Sequence, residues 1–212
     1  MKHESSVALF SAWDRWRGDA QLADPSLVSP ADLGALLPDL ILIDLAEPDF
    51  RFRFSGAGVA TRYGRDLQDE SFLSIWQAAD AAGMTRLLAG IKTRRTGIVA
   101  GFHGETAGGG YTAFELLLLP LGTDNACVSA VGLIVRTGGH DDANRLRARL
   151  VSQTLVSVRV LESSRPGRPR RLQHPLESQR RVSLDGFRSR YGHLTVIHGG
   201  RAAPARVAVT ES

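Results

Sequence analysis

The 212-residue sequence predicts an α+β domain: a five-stranded antiparallel sheet with helices on one face, an amphipathic helix before it and an Arg-rich extension after it. Three observations predict this. Strand-like runs come first as a pair and later as a trio, with the helical segments grouped between them, which is not the repeating β-α order of a parallel sheet. The run Phe50-Arg51-Phe52-Arg53-Phe54 alternates strictly, Phe against Arg, as a half-buried antiparallel strand does. Short turn-forming clusters, Ala107-Gly108-Gly109-Gly110 and Gly122-Thr123-Asp124-Asn125, separate the later strands and are long enough only for hairpins.

The elements follow in order. In residues 1–20, Ser5 and Ser6 are cap residues for a helix that places Leu9, Trp13 and Trp16 on one side, with Gly18 at its natural stop. With Phe10 these side chains are a heavy apolar load, so the helix must dock, either on its own domain or on a partner. Pro30 opens a short helix and Pro38 closes it. Residues 40–45 and 50–54 flank the turn Glu47-Pro48-Asp49 and read as a hairpin ended by Gly56 and Gly58. Short helical pieces fill 59–76, broken at Tyr63-Gly64. A longer helix is predicted over 77–93, with Met84, Leu87, Leu88 and Ile91 on one stripe. Strands over 97–103, 111–121 and 126–136 complete a domain spanning 21–137. Residues 138–192 read as an Arg-rich helix over 141–150 followed by a linker dominated by Ser, Arg, Pro and Gln. Residues 193–212 are expected to form a strand pair or a tail.

The bulk properties bound the function. The net charge of +4 conceals a split: residues 151–212 carry eleven Arg against four acids, whereas residues 1–150 carry fifteen Lys or Arg against eighteen acids. The basicity therefore belongs to the extension and is no argument for nucleic-acid binding by the body. Cys127 is the single cysteine, so an internal disulfide and a Cys-based zinc site are excluded. No run approaches the roughly 18 apolar residues of a membrane span, and the N-terminus lacks the apolar core of a signal peptide. No membrane partner and a cytoplasmic location are expected.

Several strings, taken in order, resemble a bacterial family of compact single-PAS-domain proteins. They are Trp13-Asp14-Arg15-Trp16, Asp24-Pro25, the Pro30-to-Pro38 segment, Leu40-Ile41-Leu42-Ile43-Asp44, Phe52-Arg53-Phe54-Ser55-Gly56-Ala57, Tyr63-Gly64-Arg65-Asp66-Leu67 and Glu115-Leu116-Leu117-Leu118-Leu119-Pro120-Leu121. The resemblance covers about residues 8–136, and the chain departs from the pattern at Gln68-Asp69, where the family continues with Thr-Gly. It implies a sensory or docking module of the PAS fold, with signal transduction by small-ligand binding or protein–protein interaction. It also implies a cavity between sheet and helices, for which Phe50, Phe52, Phe54, Trp76, Leu87, Phe114 and Leu116 are the candidate lining residues. Leu9, Phe10, Trp13 and Trp16 are the candidate contact with a second copy, as a homodimer, or with a signalling protein.

The residues argue against cofactors and catalysis. A flavin photosensor of the resembled fold needs a reactive cysteine in its helical middle, and Cys127 falls in the last predicted strand, where it reads as a small buried hydrophobe. Haem needs an axial ligand, and the 77–93 helix has no His. His103 reads as a surface residue at a strand end, and the remaining five histidines are scattered, so no metal is expected. The chain lacks Gly-x-Ser-x-Gly, and its Gly-rich strings open no helix. Haem and flavin are therefore not expected, no catalytic residue is assigned, and the chain is read as no enzyme. The alternative function is a nucleic-acid or cyclic-nucleotide regulator, with phosphates held by Arg168, Arg170, Arg171, Arg180 and Arg181 of the extension.

Overall fold

A computed structural model describes residues 1–123, 126–137 and 149–161. The elements predicted over residues 4–136 are present. Helix α1 spans Glu4–Arg17, α2 spans Pro30–Leu33, α3 spans Ala57–Tyr63 and α4 spans Ala78–Arg94. The strands are β1 (Leu40–Asp44), β2 (Phe52–Ser55), β3 (Gly97–Thr106), β4 (Tyr111–Thr123), β5 (Ala126–Arg136) and β6 (Leu150–Leu161). Every neighbouring pair is antiparallel, in the order β2-β1-β5-β4-β3-β6.

The sheet thus has six strands among the described residues, not five. Strand β6 lies inside the 138–192 stretch expected to be helix and linker, and pairs with β3 along its length. Two register shifts interrupt that pairing, between Gly101/Phe102 and between Glu105/Thr106, so the inward residues Leu150, Gln153, Leu155 and Val158 do not keep period two. That broken alternation hides the strand. The β-branched run Val151, Thr154, Val156, Val158 and Val160 was the signal that could have found it. The rest of the 141–150 helix and all of 193–212 lie outside the described residues.

Both faces of the sheet are covered. On one, α3, α4 and the 3₁₀ turn Phe72–Ile75 pack on Ile41, Ile43, Phe52, Ala100, Phe102, Phe114, Leu116 and Ile134. On the other, Leu9, Trp13 and Trp16 of α1, with Leu33 and Leu36, pack on Leu117, Leu119, Val131 and Leu133. The middle helices are on one face as predicted, and the flanking helix takes the opposite one. The long apolar string of β4 is the physical reason: it has Leu on both faces, and each face needs a cover.

Local chemistry sets the helix ends. Helix α1 begins one turn earlier than Ser5 and Ser6 suggest. His3 is its cap, with Nδ1 accepting the Ser5 N–H at 3.2 Å, and Gly18 closes it at φ 51° as predicted.

Both sheet edges are partly capped by other parts of the chain. Beside β2, the Phe52 N–H donates to Glu70 O at 2.9 Å and Asp69 N–H donates to Phe52 O at 2.8 Å. Beside β6, the start of α4 does the same work. Gln77 N–H donates to Gln153 O at 3.3 Å, and the Leu155 N–H donates to the Asp80 carboxylate at 2.9 Å. A capped stretch of edge cannot template pairing with another chain.

Candidate functional site

Six of the seven candidate lining residues lie together where the sheet meets α3 and α4. Phe50, Phe52, Trp76, Leu87, Phe114 and Leu116 are all buried in one core. The rings there form a connected run. Ring centroids are 5.4 Å apart for Phe52–Phe72, 5.9 Å for Phe72–Trp76 and 5.4 Å for Trp76–Phe102, each edge to face. Phe102 and Phe114 stack at 5.1 Å. Such pairs favour these geometries, and the run links β2, the 72–76 turn, β3 and β4 into one layer.

Phe54 is the exception and is corrected here. It is 38% exposed and outside that core. Ile43 pairs with Phe52 but Leu42 pairs with Phe54, so the register shifts between them, and the bulge carries Phe54 onto the face of Leu42. On that strand Arg53 pairs with Asp44. Burial pushes the Asp44 carboxyl up, but the Ala46 N–H at 2.7 Å and the Arg53 guanidinium outweigh it and hold it below the usual carboxylate range. At the turn, Phe50 adopts φ 48°, a left-handed conformation unusual for an aromatic residue, while its ring is buried.

A polar seam, which sequence reasoning missed, crosses this apolar layer at β6. Tyr63 at the end of α3 donates its hydroxyl to Gln153 Oε1 at 2.6 Å, and Gln77 Nε2 donates to Ser152 Oγ at 2.8 Å. With the Asp80–Leu155 bond, α3 and α4 are both fastened to β6. Gln153 is 1% exposed, and its Nε2 has no hydrogen-bond partner; the buried Trp76 Nε1 has none either. The two residues belong to neighbouring segments. Trp76 packs on Phe102, Phe102 pairs with Leu155, and the Gln77 backbone touches that of Gln153. Burial drives the Tyr63 hydroxyl pKa far above the ordinary phenol range, so the side chain stays neutral. A lone Gln inside Leu150-Val151-Ser152-Gln153-Thr154-Leu155 was the available sign, since polar residues in apolar strands need a partner.

The candidate contact helix is spent on its own domain. Trp13 is 2% exposed and donates Nε1–H to Pro120 O at 2.8 Å; Trp16 donates to Asp32 Oδ2 at 2.9 Å. Leu9 is buried as well, while Phe10 is half-buried beside Trp13 with ring centroids 5.8 Å apart. Leu9, Trp13 and Trp16 therefore do not present a partner contact in this packing, because the β4–β5 face needs an apolar cover.

The remaining candidates separate. Cys127 is buried in β5, and burial pushes its thiol up to about 11, away from reactive thiolate chemistry. His103 is exposed within β3, which runs past it to Thr106. Among the described residues no group of three or more His, Cys, Asp or Glu could hold a metal, and no helix is long and apolar enough to cross a membrane. Arg168, Arg170, Arg171, Arg180 and Arg181 lie outside the described residues.

Comparison with known proteins adds the family. Curated proteins give no match. Among solved structures, the chain is similar to a light-oxygen-voltage domain studied with a flavin analogue (17% identity, TM-score 0.41, covering 54% of this chain and 87% of that one). It is also similar to a Rhodobacter sphaeroides LOV protein (14%, 0.41, 51% and 67%) and to the PAS domain of an HTR-like protein from Haloarcula marismortui (16%, 0.38, 50% and 90%). These likenesses are too distant to carry an argument about what this chain binds, and they lend no support to the expectation against a flavin. The model of the PAS domain family matches residues 1–135, which takes in α1 and stops before β6. Through that segment the chain belongs to the PAS domain family, whose members are sensory and signalling modules.

Proposed function

We propose that this chain is a non-catalytic PAS signalling module that works through protein–protein interaction. The observation that supports the reading is the layer of rings from Phe52 to Phe114, which pack on one another in the region between sheet and helices expected to hold a ligand. The polar seam supports it. A change in how α3 and α4 pack would reach β6 through Tyr63, Gln77 and Asp80, and from β6 the chain continues into the extension. In this reading a partner that prefers one packing shifts the population toward it. Phe10, with its side still open, is the member of the predicted contact set best placed for a second copy or a signalling protein.

A second reading, a small ligand held inside, is favoured by one observation. The Trp76 and Gln153 N–H groups are buried donors without acceptors, and a ligand carbonyl or a bridging water would satisfy them. Native mass spectrometry of freshly purified protein decides between the two. The interaction reading expects only multiples of the bare chain mass. A stoichiometric added mass that survives desalting would overturn it and support an internal ligand.

A further inference from the structure

We propose that the sheet face turned away from α3 and α4 carries a separate binding site, a groove that takes a small oxyanion, either a carboxylate or a phosphate group. The groove has a volume of about 150 Å³. Gly101 is one of its lining residues. Glu115 of β4 pairs with Gly101, and Gly101 pairs with Ser157 of β6, so a residue without a side chain sits between two that have one. Along β3 and β4 the neighbouring row has Ala113 beside His103. A floor of Gly and Ala leaves a depression in a surface that side chains would otherwise fill. Helix α1, with Leu33 and Leu36, packs on this face but starts at Glu4, which leaves this end uncovered among the described residues.

The lining has the cations Lys2 and Arg159 and the hydrogen-bonding side chains His103, Thr137 and Ser157. Glu115, the one carboxylate of the wall among the described residues, is 4% exposed and already engaged. Its oxygens accept the backbone N–H groups of Lys2 at 2.7 Å and His3 at 3.4 Å. That engagement fixes the residues before α1 at the rim and places Lys2 in the groove wall. The balance of groups favours an anion, which would receive charge-assisted hydrogen bonds from the wall. Size narrows the ligand further. Pockets for drug-sized molecules run from about 300 to 1,000 Å³, so this groove suits a group of a few heavy atoms and excludes a flavin or haem. The site is independent of how the interior is read.

The test is an NMR titration of isotopically labelled protein with sodium phosphate, and separately with sodium acetate, against sodium chloride at equal ionic strength. The proposal expects saturable shifts of the Gly101, His103 and Ser157 amides with at least one oxyanion. Saturation by phosphate alone assigns a phosphate-bearing ligand, and saturation by acetate alone a carboxylate. The double variant Lys2→Gln, His103→Gln changes exposed positions and should weaken the binding by about tenfold or more, as expected for lost hydrogen bonds to charged groups. Arg159→Gln should weaken it similarly, and the double variant keeps the test valid if that one fails to fold. A response no different from chloride overturns the site, and so does saturable binding that neither variant weakens.

Discussion

Replacing Trp13 by Ala should destabilise the monomer strongly and independently of protein concentration. Trp13 is 2% exposed, its indole N–H donates to Pro120 O at 2.8 Å, and the Arg17 guanidinium lies 5.0 Å from its ring. Removing a buried Trp side chain costs about 3–5 kcal/mol, from lost transfer energy and the cavity left behind. The hydrogen bond from the indole to Pro120 O is lost with it. Trp13→Phe keeps most of the packing and deletes the hydrogen bond, so its cost should be about 1–2 kcal/mol. Urea unfolding followed by far-UV circular dichroism measures both, at two protein concentrations well apart. If Trp13 were instead the glue of a dimer, the wild-type midpoint would rise with concentration and the variant's would not. A variant as stable as wild type, or a loss seen only at high concentration, would refute the reasoning that α1 is the cover of its own sheet.

Other outcomes follow from the same structure. Asp80→Ala leaves the Leu155 N–H buried without an acceptor and should cost about 1–3 kcal/mol. Hydrogen exchange should show the Leu155 amide speeding up more than β4 amides; equal protection would remove the cap from the account. Tyr63 and Cys127 are both raised by burial above their ordinary values of 10.0 and 9.0. In each case the unfolded chain ionises first, so the stability they contribute is complete below about pH 9 and is lost as pH rises. For Cys127, raised to about 11, the loss amounts to about 2–3 kcal/mol at the alkaline end. Cys127→Ala should flatten the slope that begins near pH 9 and Tyr63→Phe the one that begins near pH 10, as read from urea midpoints against pH; slopes unchanged in both variants would count against these assignments. At pH 8 the Cys127 thiol should react with a disulfide reagent only at the rate of unfolding, and rapid reaction in the absence of denaturant would show that it is accessible.

Much of the fold was readable because its signals are local. The 126–136 strand was placed with its observed bounds, and the long helix was placed within one residue at each end. Hairpins bounded by Gly-rich turns and a helix stripe at i, i+3, i+4 and i+7 depend on neighbours a few residues away. The ring layer was half legible. Phe52, Trp76 and Phe114 were assigned to the interior, but nothing in the alternation of 50–54 could reveal the bulge that turns Phe54 outward. Strand β6 escaped because its inward residues follow the bulges of a partner strand some fifty residues earlier in the chain.

The sequence by itself determined that this is an α+β chain with PAS order, that its basic charge belongs to the extension, and that Trp13 and Trp16 must be buried somewhere. Tertiary structure alone decided where they are buried and that the interior rings pack on one another. It also decided that Tyr63, Gln77 and Asp80 meet on β6, and that Gly101 opens a groove on the far face. Those are matters of which strand lies beside which. Pairing brings together residues with no proximity in sequence, and their burial and hydrogen bonds exist only once the sheet has formed.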